Sequence, residues 1–573
     1  MHAFPHFDSV SQRPYNDQFA LIYKEDTMPI SNEVQAALDA CQKLCDQVAA
    51  HLASVSSEGG KVSTEKLDQH QLAAYEFAYM VAETQGAKEA FAYLERANRW
   101  GTIDEDVSHI FLAETVQNLR NRVYARPASY GLTTEQIVAT LDAPAVRGYS
   151  DANLAPAKYE AVAKLLADGQ VPSYGLGEDH EAIRDPFRKF AQDKVMPLAE
   201  KIHRHDLLVP EDIIQGLAEM GCFGLSIPEE YGGFQTDNIG MVVVTEELSR
   251  GSLAAAGSLI TRPEILSKAL LKGGTEEQKQ EWLPKLASAE EMGGVAVTEP
   301  DFGSDVAGLK VMATKVDGGW RINGTKTWCT FAGRATVLLV LARTNPDMKL
   351  KHKGLSILLA QKPAFDGHDF EHKQEEGGTI SGRAIATLGY RGMHSYEVNF
   401  DNYFVPDKNL VGGEKGLGQG FYLQMEGFAG GRLQTAARAL GVMQASYESG
   451  MQYAQERKIF GQPEFQYPLT QYKLARMAML IHVCRQFTYA AARLVDEHKG
   501  QMESSLVKLF SCRMAEWVAR EAMQIHGGMG YAEEFAVSRY YVDARVLSIF
   551  EGAEEVLALR VVARNLVEAA LKA

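Results

Sequence analysis

GGVAVTEPDFGSDVAGLKVMATKVDGGWRINGTKTWCT, residues 293–330, is where the chain changes texture. Val, Thr, Ile and aromatic residues dominate it, and Asp317-Gly318-Gly319 and Asn323-Gly324 are hairpin signals. The same texture runs to about Pro406 and includes VLLVLA (337–342), an apolar run bounded by polar residues, as a buried strand requires. A β domain is therefore expected over 293–412.

Helical periodicity lies on both sides. From Gly418 onward it continues to Ala573, giving a C-terminal helical bundle over 413–573. Upstream, His180 to Ala289 is again helical, and a helical domain is expected over 178–292. Val34, Leu38, Cys41, Leu44, Val48 and Leu52 recur in steps of three and four, with Ser31 and Asn32 where an N-cap belongs. Residues 64–98 and 104–123 continue that pattern, so 1–142 is expected to be an all-helical extension. Residues 143–177 carry Pro144, Gly148, Pro156, Gly169, Pro172, Gly175 and Gly177, which predicts a linker with one short helix. The fold class is thus mainly α with a central β domain, in the order helical, helical, β, helical.

The 573 residues exceed one ordinary core. Hydrophobic residues make up 46% and charged residues 23%, the profile of a globular protein. A net charge of −16 opposes nonspecific nucleic-acid binding, which needs a basic surface. Cys41, Cys45, Cys222, Cys329, Cys484 and Cys512 form no CxxC pair and fit buried thiols in a reducing cytoplasm; no metal motif accompanies them. MHAFPHFDSVSQRPYNDQF at the start has the composition of neither a secretion signal nor a transit peptide, and no apolar run is long enough for a membrane span.

Four segments carry possible chemistry. In AVTEPDFGSDVAG (296–308), Gly303 and Gly308 permit close backbone approach while Thr298, Ser304 and Asp305 supply polar groups; a plain polar turn fits equally. In KTWCT (326–330), strand alternation puts Trp328 and Thr330 on one face, either to pack on a planar cofactor or as a core Trp with a surface Thr. QIHGGMGY (524–531) ends a helical stretch, either as a C-cap turn or with its backbone amides against phosphate or a ring; it is no Rossmann fingerprint. In IFEGAEE (549–555), Glu551 follows Ile549-Phe550, so it is either a surface carboxylate or a base held against apolar side chains.

Together and in this order the segments resemble the acyl-CoA dehydrogenase family over roughly 178–573. GCFGLSIPEEYGG (221–233) and GTEEQKQEWLPKL (274–286) extend the resemblance, as do Gln524, Gly527, Gly528, Gly530, Tyr531, Glu534, Arg539 and Asp543 at the family's spacings. The resemblance implies FAD between the β domain and the C-terminal helices. It implies contacts from residues 295–304 (Val295, Val297, Thr298, Gly303 and Ser304), from Trp328 and Thr330, and from Ala553 and Glu555. Arg457 and Phe460 would reach the cofactor of a neighbouring subunit, and Gln524, Gly527 and Gly528 would hold its adenine half. Arg432 and Ser304 would approach the CoA. Glu551 would remove the α-proton of an acyl thioester polarised by its own backbone N–H and by the cofactor's ribityl hydroxyl.

Some positions depart from the family pattern. Phe302 replaces a small residue, either filling the substrate channel or packing outward; Pro468 stands near a usual Gln, and Ala553 replaces a Thr. The N-terminal extension and the enlarged segment PAFDGHDFEHKQEEGGTISGRAIATLGYRGMHSYEV (363–398) resemble a branch acting on a short branched dicarboxylic acyl-CoA. Its free carboxylate needs a cation, for which Arg262 is the candidate, with Arg391 and His394 behind it. For Arg262 a surface residue capping a helix is the competing reading. The implied partners are an acyl-CoA, electron-transfer flavoprotein as electron acceptor, and a second copy of the chain, as a dimer before a tetramer. An acyl-CoA oxidase and a DNA-damage-associated flavoprotein are the rival functions.

Overall fold

The structure, a computed structural model, describes residues 30–572. The expectation about targeting signals in residues 1–19 lies outside them. The order helical, helical, β, helical is the order observed.

Asn32–Ser56 is a helix whose N-cap Ser31 accepts from the Val34 amide, and all six periodic apolar residues are buried. It packs on Gln71–Ala97, a helix buried almost all round, which Ile103–Ala125 covers in turn. This N-terminal unit is fused to the C-terminal bundle rather than tethered to it. Phe111 meets Phe510 edge-on at 5.8 Å, and Arg476 Nε lies 2.8 Å from a Glu114 carboxylate oxygen.

The expected linker differs from the prediction. Pro144–Asn153 and Pro156–Ala167 are two helices with proline in their first turns, and both pack on neighbouring helices. Proline and glycine here mark helix starts and ends rather than an irregular connection; only the stretch after Ala167 is extended.

The β domain contains eight strands: β1 (Gly293–Ala296), β2 (Met312–Val316), β3 (Gly319–Thr330), β4 (Val337–Arg343), β5 (Leu355–Gln361), β6 (Asp369–Lys373), β7 (Thr379–Ala384) and β8 (Ser395–Pro406). The sheet runs β1-β4-β2-β3-β8-β7-β6, with β5 on the other edge of β4. β4 is buried on both faces, as its unbroken apolar sequence requires.

Of the two hairpin signals only the first makes a turn: Asp317-Gly318 joins β2 to β3, with Val316 opposite Gly319. Asn323-Gly324 lies inside β3. There β8 inserts an extra residue between Phe400 and Tyr403, and Asn323 Oδ1 accepts from the Asn402 amide at 2.9 Å. Gly324 takes φ +126°, so its glycine serves a bulge instead of a turn.

Candidate active site

A second bulge shapes the site. Lys326 and Cys329 of β3 pair with Val398 and Tyr396, so Thr327 and Trp328 oppose a single residue of β8. Trp328 adopts φ +56°, which breaks the simple alternation expected of KTWCT. The bulge swings its indole into a cleft of about 4080 Å³ that Thr327 and Thr330 also line. The indole is 55% exposed there, an unusual state for so large a ring, and it offers an open aromatic face.

The loop after β1 is riveted beneath. Lys326 Nζ, fully buried, donates to Val297 O and to Glu299 Oε1, each at 2.8 Å. Glu299 also accepts from the Lys310 and Val311 amides at 2.7 and 2.9 Å. The Thr327 amide donates to Thr298 O at 2.8 Å. Glu299 and Lys326 were not singled out in the sequence. Their role is to hold Thr298, Gly303 and Ser304 at the cleft.

Val295, Val297, Thr298, Gly303, Ser304, Trp328, Thr330, Ala553, Arg262, Arg432 and Glu551 all line this one cleft. They come from five separate segments of the chain. Their chemistry fits a flavin: an open aromatic face, nearby hydroxyls, and a Gly303 whose missing Cβ would meet nothing within 4 Å.

Glu551 projects from the turn between Ala536–Leu547 and the final helical stretch, with φ +54° at the residue itself. Its two chain neighbours are anchored, and a glycine leaves its carboxylate room. Lys508 Nζ, pulled below its ordinary pKa by burial, donates to Gly552 O at 2.6 Å. Phe550 packs edge-on to Tyr390 at 5.6 Å, and a Cβ on Gly431 would stand 3.0 Å from Glu551 Oε2. No protein acceptor takes the Glu551 backbone N–H among the described residues. Arg539 and Asp543, found as signature positions, are structural: Asp543 Oδ1 accepts from the Tyr390 amide at 2.7 Å, and Arg539 Nε binds Glu200 at 2.7 Å.

Cations surround the base. Arg262 is buried, which overturns its reading as a surface cap; it donates to Ser258 O at 3.2 Å and to Thr261 Oγ1 at 3.1 Å. Arg438, wholly buried, donates to the same Thr261 hydroxyl at 3.0 Å and lies over the Phe550 ring. Its Nε and Nη1 have no partner, and neither does Arg432 Nε. Burial pulls Arg432 down to about 10 against the opposing pull of Glu551, and lowers Arg262 in the same way. Arg432 lines the same cleft as Ser304, within reach of the Glu551 charge. Arg438 was missed, though a signal exists: it stands seven residues after Gly431, two turns along the same helix face.

Other expected residues lie elsewhere. Arg391 binds Thr387 O and His203 O, and His394 faces Asp206; neither lines the cleft. Phe302 packs over Gly308 under Lys310 rather than in the channel. Glu555, Arg457, Phe460, Gln524, Gly527 and Gly528 are also outside it. The last five gather where Gly420–Glu456 ends: Tyr453 stacks on His526 at 4.2 Å, and Phe460 beyond it is 96% exposed. Pro468 is the first residue of the Pro468–Asp496 helix.

The chain matches the acyl-CoA dehydrogenase N-terminal, middle and C-terminal domains over residues 177–290, 294–403 and 418–567. It is 41% identical over 545 residues to (2S)-methylsuccinyl-CoA dehydrogenase of Cereibacter sphaeroides, covering 93% of this chain and 97% of that one. Among solved structures, a glutaryl-coenzyme A dehydrogenase in complex with glutaryl-CoA superposes with TM-score 0.61 at 30% identity, covering 67% of this chain and 93% of that one. The butyryl-CoA dehydrogenase of Megasphaera elsdenii does so with TM-score 0.61 at 27% identity, over 67% and 96%. With three domain matches in order and an assembled cleft, this chain belongs to the acyl-CoA dehydrogenase family.

Proposed function

We propose that the chain oxidises the Cα–Cβ bond of a short branched dicarboxylic acyl-CoA, (2S)-methylsuccinyl-CoA, to mesaconyl-CoA. One observation carries the choice of a dicarboxylic substrate. Arg262 lines the cleft within reach of the Glu551 charge and hydrogen-bonds no carboxylate among the described residues, and behind it Arg438, which shares the Thr261 hydroxyl, keeps two donors unsatisfied. A buried charge without a counter-ion is costly, and a substrate carboxylate supplies the missing charge and acceptors. The likeness to the Cereibacter sphaeroides enzyme points to the same substrate.

FAD, the family's cofactor, accepts the β-hydride when bound. Glu551 would remove the α-proton, and its backbone N–H, which no described residue accepts, would donate to the developing negative charge on the thioester oxygen. Tyr390 and Phe550 place an apolar wall next to the base. Lys508 ties down the turn at Gly552, and Gly431 leaves the carboxylate room. Electron-transfer flavoprotein is the proposed acceptor. The 96% exposed Phe460 and 84% exposed Tyr531 favour a homo-oligomer, a dimer first. Six buried free thiols favour the cytoplasm.

The test is to add (2S)-methylsuccinyl-CoA to the flavoprotein without oxygen. Rapid bleaching of the flavin is expected, with butyryl-CoA and glutaryl-CoA nearly inert. Bleaching by butyryl-CoA alone would discard the substrate.

A further inference from the structure

Away from the cleft, three side chains from distant parts of the chain converge. Asp206 follows the Met196–Arg204 helix, His368 precedes β6, and His394 precedes β8. Their ligand-capable atoms all lie within 4.8 Å of one another, and the two imidazole rings are 4.5 Å apart.

The neighbouring carbonyls assign the ring protons. His394 Nδ1 lies 3.2 Å from Gly392 O, so it carries a proton directed there. His368 Nε2 lies 3.0 Å from Asp206 O and does the same. The remaining nitrogens, His394 Nε2 and His368 Nδ1, face the Asp206 carboxylate at 3.1 and 4.0 Å. His394 Nε2 and the Asp206 carboxylate are both electron-pair donors to a cation placed between them, and the His368 ring stands within the same cluster.

We propose that Asp206, His368 and His394 form a site for one divalent cation of the Zn²⁺ type, with water completing a tetrahedron. One metal ion gathers all three groups, whose ligand atoms lie within 4.8 Å of one another. Each ring also donates its other N–H to a backbone carbonyl, the arrangement that orients metal-binding histidines. Metal bonds of about 2.0–2.1 Å place tetrahedral ligand atoms about 3.3 Å apart. The closure needed comes from His368 and Asp206, whose side chains are 44% and 38% exposed and open a path for the ion. Asp206 and His394 hold left-handed conformations, φ +53° and +41°, at residues that are not glycine. Such strain is kept where surrounding structure demands it. Arg391 Nε, 3.7 Å from Asp206 Oδ1, competes for the carboxylate and tunes the affinity down. The ion would clamp the helical domain to the β domain, and no sequence spacing announces it because the ligands are far apart along the chain.

The test uses the flavin-loaded protein, stripped with chelator and titrated with ZnCl₂ by calorimetry, with metal analysis after dialysis and a thermal melt. One Zn²⁺ per chain and a raised Tm are expected, with Mg²⁺ unable to compete. His368→Ala, at an exposed position, and Asp206→Asn should each weaken binding by roughly tenfold or more while keeping the flavin. Absence of stoichiometric binding below roughly 100 µM Zn²⁺, or unchanged binding in both variants, overturns the site.

Discussion

Replacing Arg438 by methionine separates a carboxylate-binding role from a structural one. The guanidinium is wholly buried, makes one hydrogen bond, to Thr261, and leaves two donors unsatisfied. On the proposed reading, a substrate carboxylate held by Arg262 at the cleft wall also feels this second guanidinium behind it. Truncating one partner of a buried charge pair costs about 2–5 kcal/mol. Arg262 remains to share the carboxylate, so the lower part of that range applies. About 2–3 kcal/mol corresponds to a roughly 30- to 150-fold fall in kcat/KM. The assay compares (2S)-methylsuccinyl-CoA with 2-methylbutyryl-CoA, which keeps the branch and lacks the carboxylate. The neutral substrate should lose less than about threefold, since the lost interaction is with the absent group. Thermal stability should hold or rise, because methionine fills the space without a buried charge. Equal losses for the two substrates, or no loss for the dicarboxylic one, would refute the assignment.

Further outcomes follow from the same geometry. Glu551→Gln should retain the flavin spectrum and lose about 10²–10⁴ in turnover by rapid-reaction kinetics; near-normal turnover would remove the base assignment. Gly431→Ala places a Cβ 3.0 Å from Glu551 Oε2 and should displace the carboxylate, lowering kcat by roughly tenfold with an unchanged melting curve. Buried His482, beside Asp104 at 3.5 Å, is held down to about 4 by desolvation. It stays neutral in the fold and charges in the unfolded chain below about 6.5. Its contribution is therefore present above that pH and is lost as pH falls from about 6.5 to 4, about 3 kcal/mol in all. His482→Phe should flatten the fall in urea midpoint across that window; an unchanged slope would show that other groups cause it.

The sequence alone determined the order of helical and β segments, the apolar face of Asn32–Ser56, and the cleft residues from Val295 to Thr330 together with Glu551, the proposed base. Those signals are local: periodicity and motif spacing are written within a few turns of chain. Tertiary structure decided what depends on partners far apart. A bulge, set by pairing with β8, turns Trp328 into the cleft, and strand alternation alone carries no sign of it. Proline and glycine in 143–177 could not tell a linker from two short packed helices, because both begin and end with the same residues. Arg262, Arg432 and Arg438 differ from surface arginines only through what surrounds them. Burial is a property of the assembled fold, and it leaves guanidinium donors unsatisfied among the described residues where a surface arginine would be solvated.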